Sequence, residues 1–184
     1  MVLTKTPVCN FGEKARDFNL KSTENKQISL KDVTGKNGTL IMFICNHCPY
    51  VKAIIKDLVN DVKYLENLEI KSVAIMSNDV KNYPDDSFEN MITFSKSHNF
   101  SFPYLIDDTQ NIAKKYGAVC TPDFFGYNKN LELQYRGRIR ELKDLKPVGI
   151  GDSDLKKAMK LVAETGNGPK DQIPSMGCNI KWFK

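Results

Sequence analysis

The apolar positions change period several times along the chain, and each change marks an element. Residues 17–33, DFNLKSTENKQISLKDV, alternate around a polar turn at Thr23-Glu24-Asn25, the pattern of two short strands in a hairpin. TLIMFIC (39–45) is an almost unbroken apolar run of strand length, which suits a central strand covered on both faces. Beyond Pro49 the spacing becomes helical, with Val51, Ile54, Ile55, Leu58, Val59, Val62 and Leu65 on one stripe for about four turns. Pro49 fits the first turn of that helix, where a missing N–H costs nothing.

Residues 70–76 form a second β-branched run, and 85–99 read as a helix with Phe88, Met91, Ile92 and Ser95 on one face and acidic residues in its first turn. A short strand at 103–106 and a short helix at 108–116, stopped by Gly117, follow. The runs 123–127 and 131–136 make a hairpin around Asn128-Lys129-Asn130. A last amphipathic helix covers 154–164, and the tail, GNGPKDQIPSMGCNIKWFK, is read as irregular. Strands alternating with helices imply right-handed parallel crossovers, and the late hairpin adds antiparallel strands. The expectation is an α/β fold with a mixed sheet flanked by helices. One domain spans 1–184, with an N-terminal arm at 1–16 and an irregular tail at 166–184.

Composition alters this picture little. A chain of 184 residues suits one compact domain, and 41% hydrophobic with 27% charged residues is ordinary for a globular protein. No apolar run approaches the roughly 20 residues that span a bilayer, and MVLTKTPVCN lacks the pattern of a signal peptide. A cytoplasmic protein without membrane partners is expected, unless a leader has been trimmed. The net charge of +5 comes from lysines scattered over helices and turns, so no nucleic-acid footprint is expected.

The cysteines change the picture most. There are five, Cys9, Cys45, Cys48, Cys120 and Cys178, an odd count that argues against a framework of structural bridges. CNHCPY (45–50) puts Cys45 at the end of a buried strand and Cys48 just before a helix start, where unpaired N–H groups and the helix dipole lower a thiol pKa. His47, between them, can add positive charge. Zinc normally needs a second close Cys or His pair, and none exists; Cys120, Cys178 and His98 are the remaining donors, and no metal is expected. A redox couple is the favoured reading, with a Cys-based metal-binding protein as a rival. Thr121-Pro122 ahead of a hairpin strand is a candidate cis step, although such steps are usually trans.

Together these segments resemble the thioredoxin fold, and within it the peroxiredoxin-like redoxins related to the AhpC/TSA group. The resemblance rests on Asp17-Phe-Asn-Leu, Phe43-Ile-Cys-Asn-His-Cys-Pro-Tyr-Val-Lys52, Ser77-Asn-Asp79, Tyr83-Pro-Asp-Asp-Ser87, Phe102-Pro-Tyr-Leu105, Cys120-Thr-Pro-Asp-Phe124, Tyr135-Arg-Gly-Arg138 and Gly177-Cys-Asn-Ile-Lys-Trp182. It implies a thioredoxin fold with an N-terminal β-hairpin and a C-terminal extension. It also implies a thiol–disulfide oxidoreductase in which Cys45 attacks, Cys48 resolves and His47 tunes the attacking thiol. Thr121 and a cis Pro122, with Cys120 beside them, would bind the substrate backbone. The implied partners are a disulfide-bearing protein or small molecule and a thioredoxin- or glutathione-type electron donor, with no bound cofactor.

True peroxiredoxins resemble a Pro-x-x-x-Thr-x-x-Cys loop with a distant Arg. Aligned on Cys48, this chain has Ile41 for the Pro, Cys45 for the Thr and Pro122 for the Arg, so a weak antioxidant peroxidase is only the alternative activity. Where the resembled family carries an acidic pair after Tyr135-Arg136-Gly137, this chain has Arg138-Ile139-Arg140. Cys120 and Cys178 are expected to be a buried core thiol and a tail thiol, or one of them a third redox thiol; the tail would then fold back on the body.

Overall fold

The computed structural model describes residues 2–184. Its elements are β1 (Leu3–Lys5), β2 (Asn19–Ser22), β3 (Gln27–Ser29), β4 (Gly38–Phe43), α1 (Pro49–Glu66), β5 (Ile70–Met76), α2 (Phe88–Ser97), β6 (Tyr104–Ile106), α3 (Asn111–Tyr116), β7 (Cys120–Thr121), β8 (Asp123–Tyr127), β9 (Leu133–Tyr135), β10 (Leu142–Lys143), β11 (Lys146–Pro147), α4 (Asp154–Thr165) and β12 (Met176–Asn179). Seven strands make the main sheet in the order β3-β2-β6-β5-β4-β8-β9. β4 runs parallel to β5, and β5 to β6; the hairpins β2–β3 and β8–β9 are antiparallel.

The continuous apolar run works as expected of a strand covered on both faces. Leu40, Met42 and Ile44 point into one core with Val51, Leu58, Val62, Phe124 and Met159. Ile41 and Phe43 point into the other, against Tyr116, Phe125 and Tyr127. Alternation along a pleated strand thus feeds both layers. Every β4 side chain is buried, and each large one contributes roughly 1.5–3 kcal/mol relative to exposure. The entire predicted stripe of α1 from Val51 to Leu65 is buried, with Pro49 at the helix start.

Two sequence expectations need correction. The helix expected over 85–99 begins only at Phe88: Pro84–Asp86 form a separate 3-10 turn, and Ser87 caps α2 by accepting the Asn90 N–H. Asp86 is therefore turned inward and fully buried, instead of sitting on the first turn of a solvated helix. The tail is not irregular throughout either. β12 lies between β1 and β7 in a second sheet, with Leu3 opposite Cys178 and Cys178 opposite Thr121. Neither tail nor arm alternates long enough to announce a strand, because each obtains its ladder from a partner far away in sequence.

No helix is long and apolar enough to cross a membrane among the described residues.

Candidate active site

β4 ends at Phe43 and α1 starts at Pro49, so Cys45 through Cys48 form the turn between them. Cys48 is the residue that caps α1, in extended conformation with φ −64° and ψ 121°. Both cysteines are buried, at 1% and 0% exposure, and no disulfide joins the described cysteines. The Thr121–Pro122 peptide is cis. It brings the Thr121 hydroxyl to 3.4 Å from Cys45 Sγ, and Cys48 Sγ to 3.1 Å from the Thr121 carbonyl oxygen.

The turn is held by a carboxylate that sequence reasoning did not single out. Asp86 accepts the backbone N–H groups of Asn46 at 2.8 Å and His47 at 3.3 Å. Its other oxygen accepts from Asn78 Nδ2 at 2.8 Å and from His47 Nδ1 at 2.6 Å. The Asn46 side chain is fixed in turn by the buried Tyr104 hydroxyl at 2.9 Å. Asn78 also accepts the Lys181 N–H at 2.8 Å, which ties the C-terminal segment to the same network. Burial pushes the Asp86 carboxyl up, but the hydrogen bonds from His47, Asn78 and the loop outweigh it and hold the group below its ordinary value. His47 is correspondingly raised, first by its bond to Asp86 and against the opposing effect of burial.

This arrangement alters the role expected of His47. Its Nδ1 is 3.9 Å from Cys45 Sγ but 2.6 Å from Asp86, so the carboxylate, and not the sulfur, is its primary partner. Cys45, His47 and Asp86 offer donor atoms within 4.8 Å of one another. Each is already committed to a hydrogen bond, so the cluster reads as a turn anchor. The further donors that the sequence offers for a metal, Cys120, Cys178 and His98, are not in it: His98 packs on Phe94 at the end of α2.

The two couple thiols differ sharply in acidity. Cys48 is lowered to about 5, chiefly by a hydrogen bond from Cys45 and in spite of burial, with further help from the Cys178 thiol, Thr121 and the Val51 N–H. Cys45 is pushed well above the ordinary thiol range by that same shared proton, by burial and by the negative Asp86. Two interacting thiols titrate as a pair: the first proton leaves easily, and the second is held tightly. A thiolate at a helix start is the nucleophilic form of cysteine.

The remaining candidates separate clearly. Cys178 Sγ is 3.1 Å from Cys48 Sγ, and burial raises its thiol to about 12. Cys120 is fully buried, with its Sγ 3.7 Å from the Pro122 carbonyl, and burial pushes it far up as well. The edge at Cys120 and Thr121, expected to bind the substrate backbone, is already paired with β12, because Gly177 lets the two backbones close in. A Cβ at Gly177 would lie 2.0 Å from the Thr121 oxygen. Pro122 instead borders a cleft of about 300 Å³ shared with Tyr50, Ile139, Arg140 and Ile173. The basic pair there is internally compensated, Arg138 by Asp154 at 2.8 Å and Arg140 by Asp57 at 3.0 Å. Arg136 is buried and gives its guanidinium to Asp123 and to the Gly117 carbonyl.

The AhpC/TSA family model matches residues 11–142. The thiol-disulfide oxidoreductase ResA of Bacillus thuringiensis subsp. konkukian is 30% identical over 130 residues, 69% of each chain. A conserved protein of Geobacillus kaustophilus has a crystal structure that superposes with a TM-score of 0.93 at 36% identity, covering 100% of this chain and 97% of its own. A thiol:disulfide interchange protein of the thioredoxin family from Chlorobium tepidum shares the fold, at a TM-score of 0.62 and 17% identity over 83% of this chain and 97% of its own.

Proposed function

The chain belongs to the AhpC/TSA family, and from that premise we propose that its chemistry as a thiol–disulfide oxidoreductase runs through Cys45 and Cys48. The observation that carries this reading is the placement of two buried thiols on the turn that starts α1, with Cys45 Sγ 3.4 Å from the Thr121 hydroxyl and Cys48 Sγ 3.1 Å from the Thr121 carbonyl, beside the cis Thr121–Pro122 step. The lowered Cys48 thiol at the helix start favours a thiolate without any external base.

Cys45 is the attacking sulfur. Cys48 is enclosed by α1, Cys178 and the Thr121 carbonyl, whereas Cys45 neighbours the partly exposed His47 and the Thr121 hydroxyl. When the proton passes to Cys48, the Cys45 thiolate attacks a substrate disulfide and releases one substrate thiolate. Cys48 then attacks Cys45 Sγ, the mixed disulfide breaks, and the second substrate thiolate leaves as the Cys45–Cys48 bond forms. In this reading a disulfide-bearing protein chain approaches from the side of the cleft that Pro122 and Tyr50 border. A thioredoxin- or glutathione-type thiol donor would restore the dithiol in a reducing, cytoplasmic setting, and no cofactor is needed for these steps.

Insulin reduction with a thiol donor tests the reading. Wild type should accelerate insulin precipitation, and Cys45→Ser should fall to the uncatalysed rate. Equal rates for the two proteins would reject the assignment.

A further inference from the structure

We propose that Cys178 is a third redox-active thiol, and that β12 carries it as a built-in exchange partner for Cys48. This rests on the assignment of Cys45 and Cys48 as the working couple. The sulfurs of Cys48 and Cys178 are 3.1 Å apart, so about 1 Å of approach brings them to the length of a disulfide bond. Neither sulfur is placed by a flexible segment. Cys48 caps α1. Cys178 sits in the middle strand of a sheet, opposite Leu3 on one side and Thr121 on the other.

The clamps around β12 point the same way. Ser175 donates its hydroxyl to the Pro122 carbonyl at 2.7 Å, and its N–H to Thr6 Oγ1 at 3.0 Å. Lys181 N–H donates to Asn78 at 2.8 Å, and Gln110 Nε2 to the Lys181 carbonyl at 2.8 Å. Gly177 passes so close to Thr121 that no side chain fits there. A strand fastened on both sides of its cysteine and pressed onto the cis step delivers that sulfur to the couple. The buried Cys120 is close in sequence to the same step, yet its sulfur turns to the Pro122 carbonyl and makes no such contact with Cys48.

The exchange is an isomerisation without net oxidation. In the oxidised enzyme the Cys178 sulfur attacks Cys48 Sγ, the Cys48–Cys178 bond forms and the Cys45–Cys48 bond breaks. Cys45 leaves as the thiolate and takes up the proton that Cys178 gives away. The second disulfide holds the oxidising equivalents at two buried sulfurs, stitches β12 to the start of α1 and returns Cys45 to the thiol state. The Cys178 thiol gives up its proton as its sulfur attacks, and the departing Cys45 sulfur accepts it.

The test is disulfide mapping by mass spectrometry after equilibration in glutathione buffers of graded potential. Cys45→Ser should form a Cys48–Cys178 cross-link with release of two glutathione molecules, and should retain two titratable thiols, Cys9 and Cys120. Oxidised wild type should yield both Cys45–Cys48 and Cys48–Cys178 peptides, and Cys178→Ser only the first. A folded Cys45→Ser protein that keeps four thiols, or that stops at a glutathione adduct on Cys48, would overturn the proposal. Should that variant not fold, the absence of the Cys48–Cys178 peptide from oxidised wild type overturns it equally. Insulin reduction separates the two ideas: normal turnover by wild type and Cys178→Ser alike, with no Cys48–Cys178 peptide from oxidised wild type, rejects the third thiol alone, whereas wild-type turnover by Cys45→Ser rejects the couple itself.

Discussion

Cys45 and Cys48 stand three residues apart but face two different regions of the molecule. On the Cys45 side lies a polar network, in which Asp86 gathers the Asn46 and His47 N–H groups, the His47 ring and Asn78. On the Cys48 side lie the first turn of α1, the Thr121 carbonyl and the Cys178 sulfur. The polar side fixes the shape of the turn and opens, through the partly exposed His47, toward solvent. The other side stabilises the first thiolate and offers it an internal sulfur. One tetrapeptide thus separates a polar face that opens toward solvent from a face turned to the chain's own sulfur.

The sharpest way to break this division is to remove its sulfurs. Cys45→Ser and Cys48→Ser should each lower insulin reduction by more than about a hundredfold, since the two steps of exchange need both thiols. They should differ in what accumulates: Cys48→Ser should trap a substrate on Cys45, visible as a covalent adduct on a non-reducing gel. A trap on Cys48 in the Cys45→Ser protein in place of this one would reverse the assignment of sides.

The next largest effect is on stability. Asp86→Ala removes the buried partner of His47 and leaves two loop N–H groups and Asn78 without their acceptor. Breaking such a pair costs about 3–5 kcal/mol, to be read as a shift in the urea midpoint. A loss below about 1 kcal/mol would mean that the turn holds itself. Asp86→Asn, which keeps an acceptor oxygen, should lose less.

A smaller effect separates the two sides electrostatically. Thiolate absorbance of the reduced protein should rise with an inflection near pH 5. Cys178→Ala should move that inflection upward, and removing Cys45, the larger contributor, should move it further. An unchanged inflection in both variants would show that the helix start alone sets the acidity.

The smallest effect concerns pH and the His47–Asp86 pair. The His47 pKa is raised, so its contribution to stability is complete below about pH 6.5, the unfolded value, and is lost as pH rises through the folded one. The Asp86 pKa is lowered, so its contribution is present above about pH 3.9 and is lost as pH falls through the folded value. The pair therefore stabilises most between those limits. Its share should vanish from the pH profile of the Asp86→Ala protein, with denaturant unfolding as the readout.

The two sides were unequally legible in the sequence. The central strand, α1 and the position of Cys45 and Cys48 between them follow from an apolar run, a helical stripe and one proline, all local signals. The cis step at Thr121–Pro122 was reached through resemblance, because local preference favours trans. Asp86 was hidden as a helix-starting acid: Tyr83-Pro-Asp-Asp-Ser87 contains both a turn and a cap, and only packing decides which aspartate turns inward. β12 was hidden for another reason. MGCN has little strand character, and its ladder comes from β1 and β7, far away along the chain. Cys178 was visible as a cysteine, but not as a neighbour of Cys48.

The most direct test of the central claim is the identity of the bond formed in a single turnover. Reduced wild-type protein reacted with one equivalent of a disulfide substrate, acid-quenched early and digested, should yield a single peptide that carries an internal Cys45–Cys48 disulfide. Oxidation confined to other cysteines, or substrate reduction with Cys45 and Cys48 both still thiols, would contradict it.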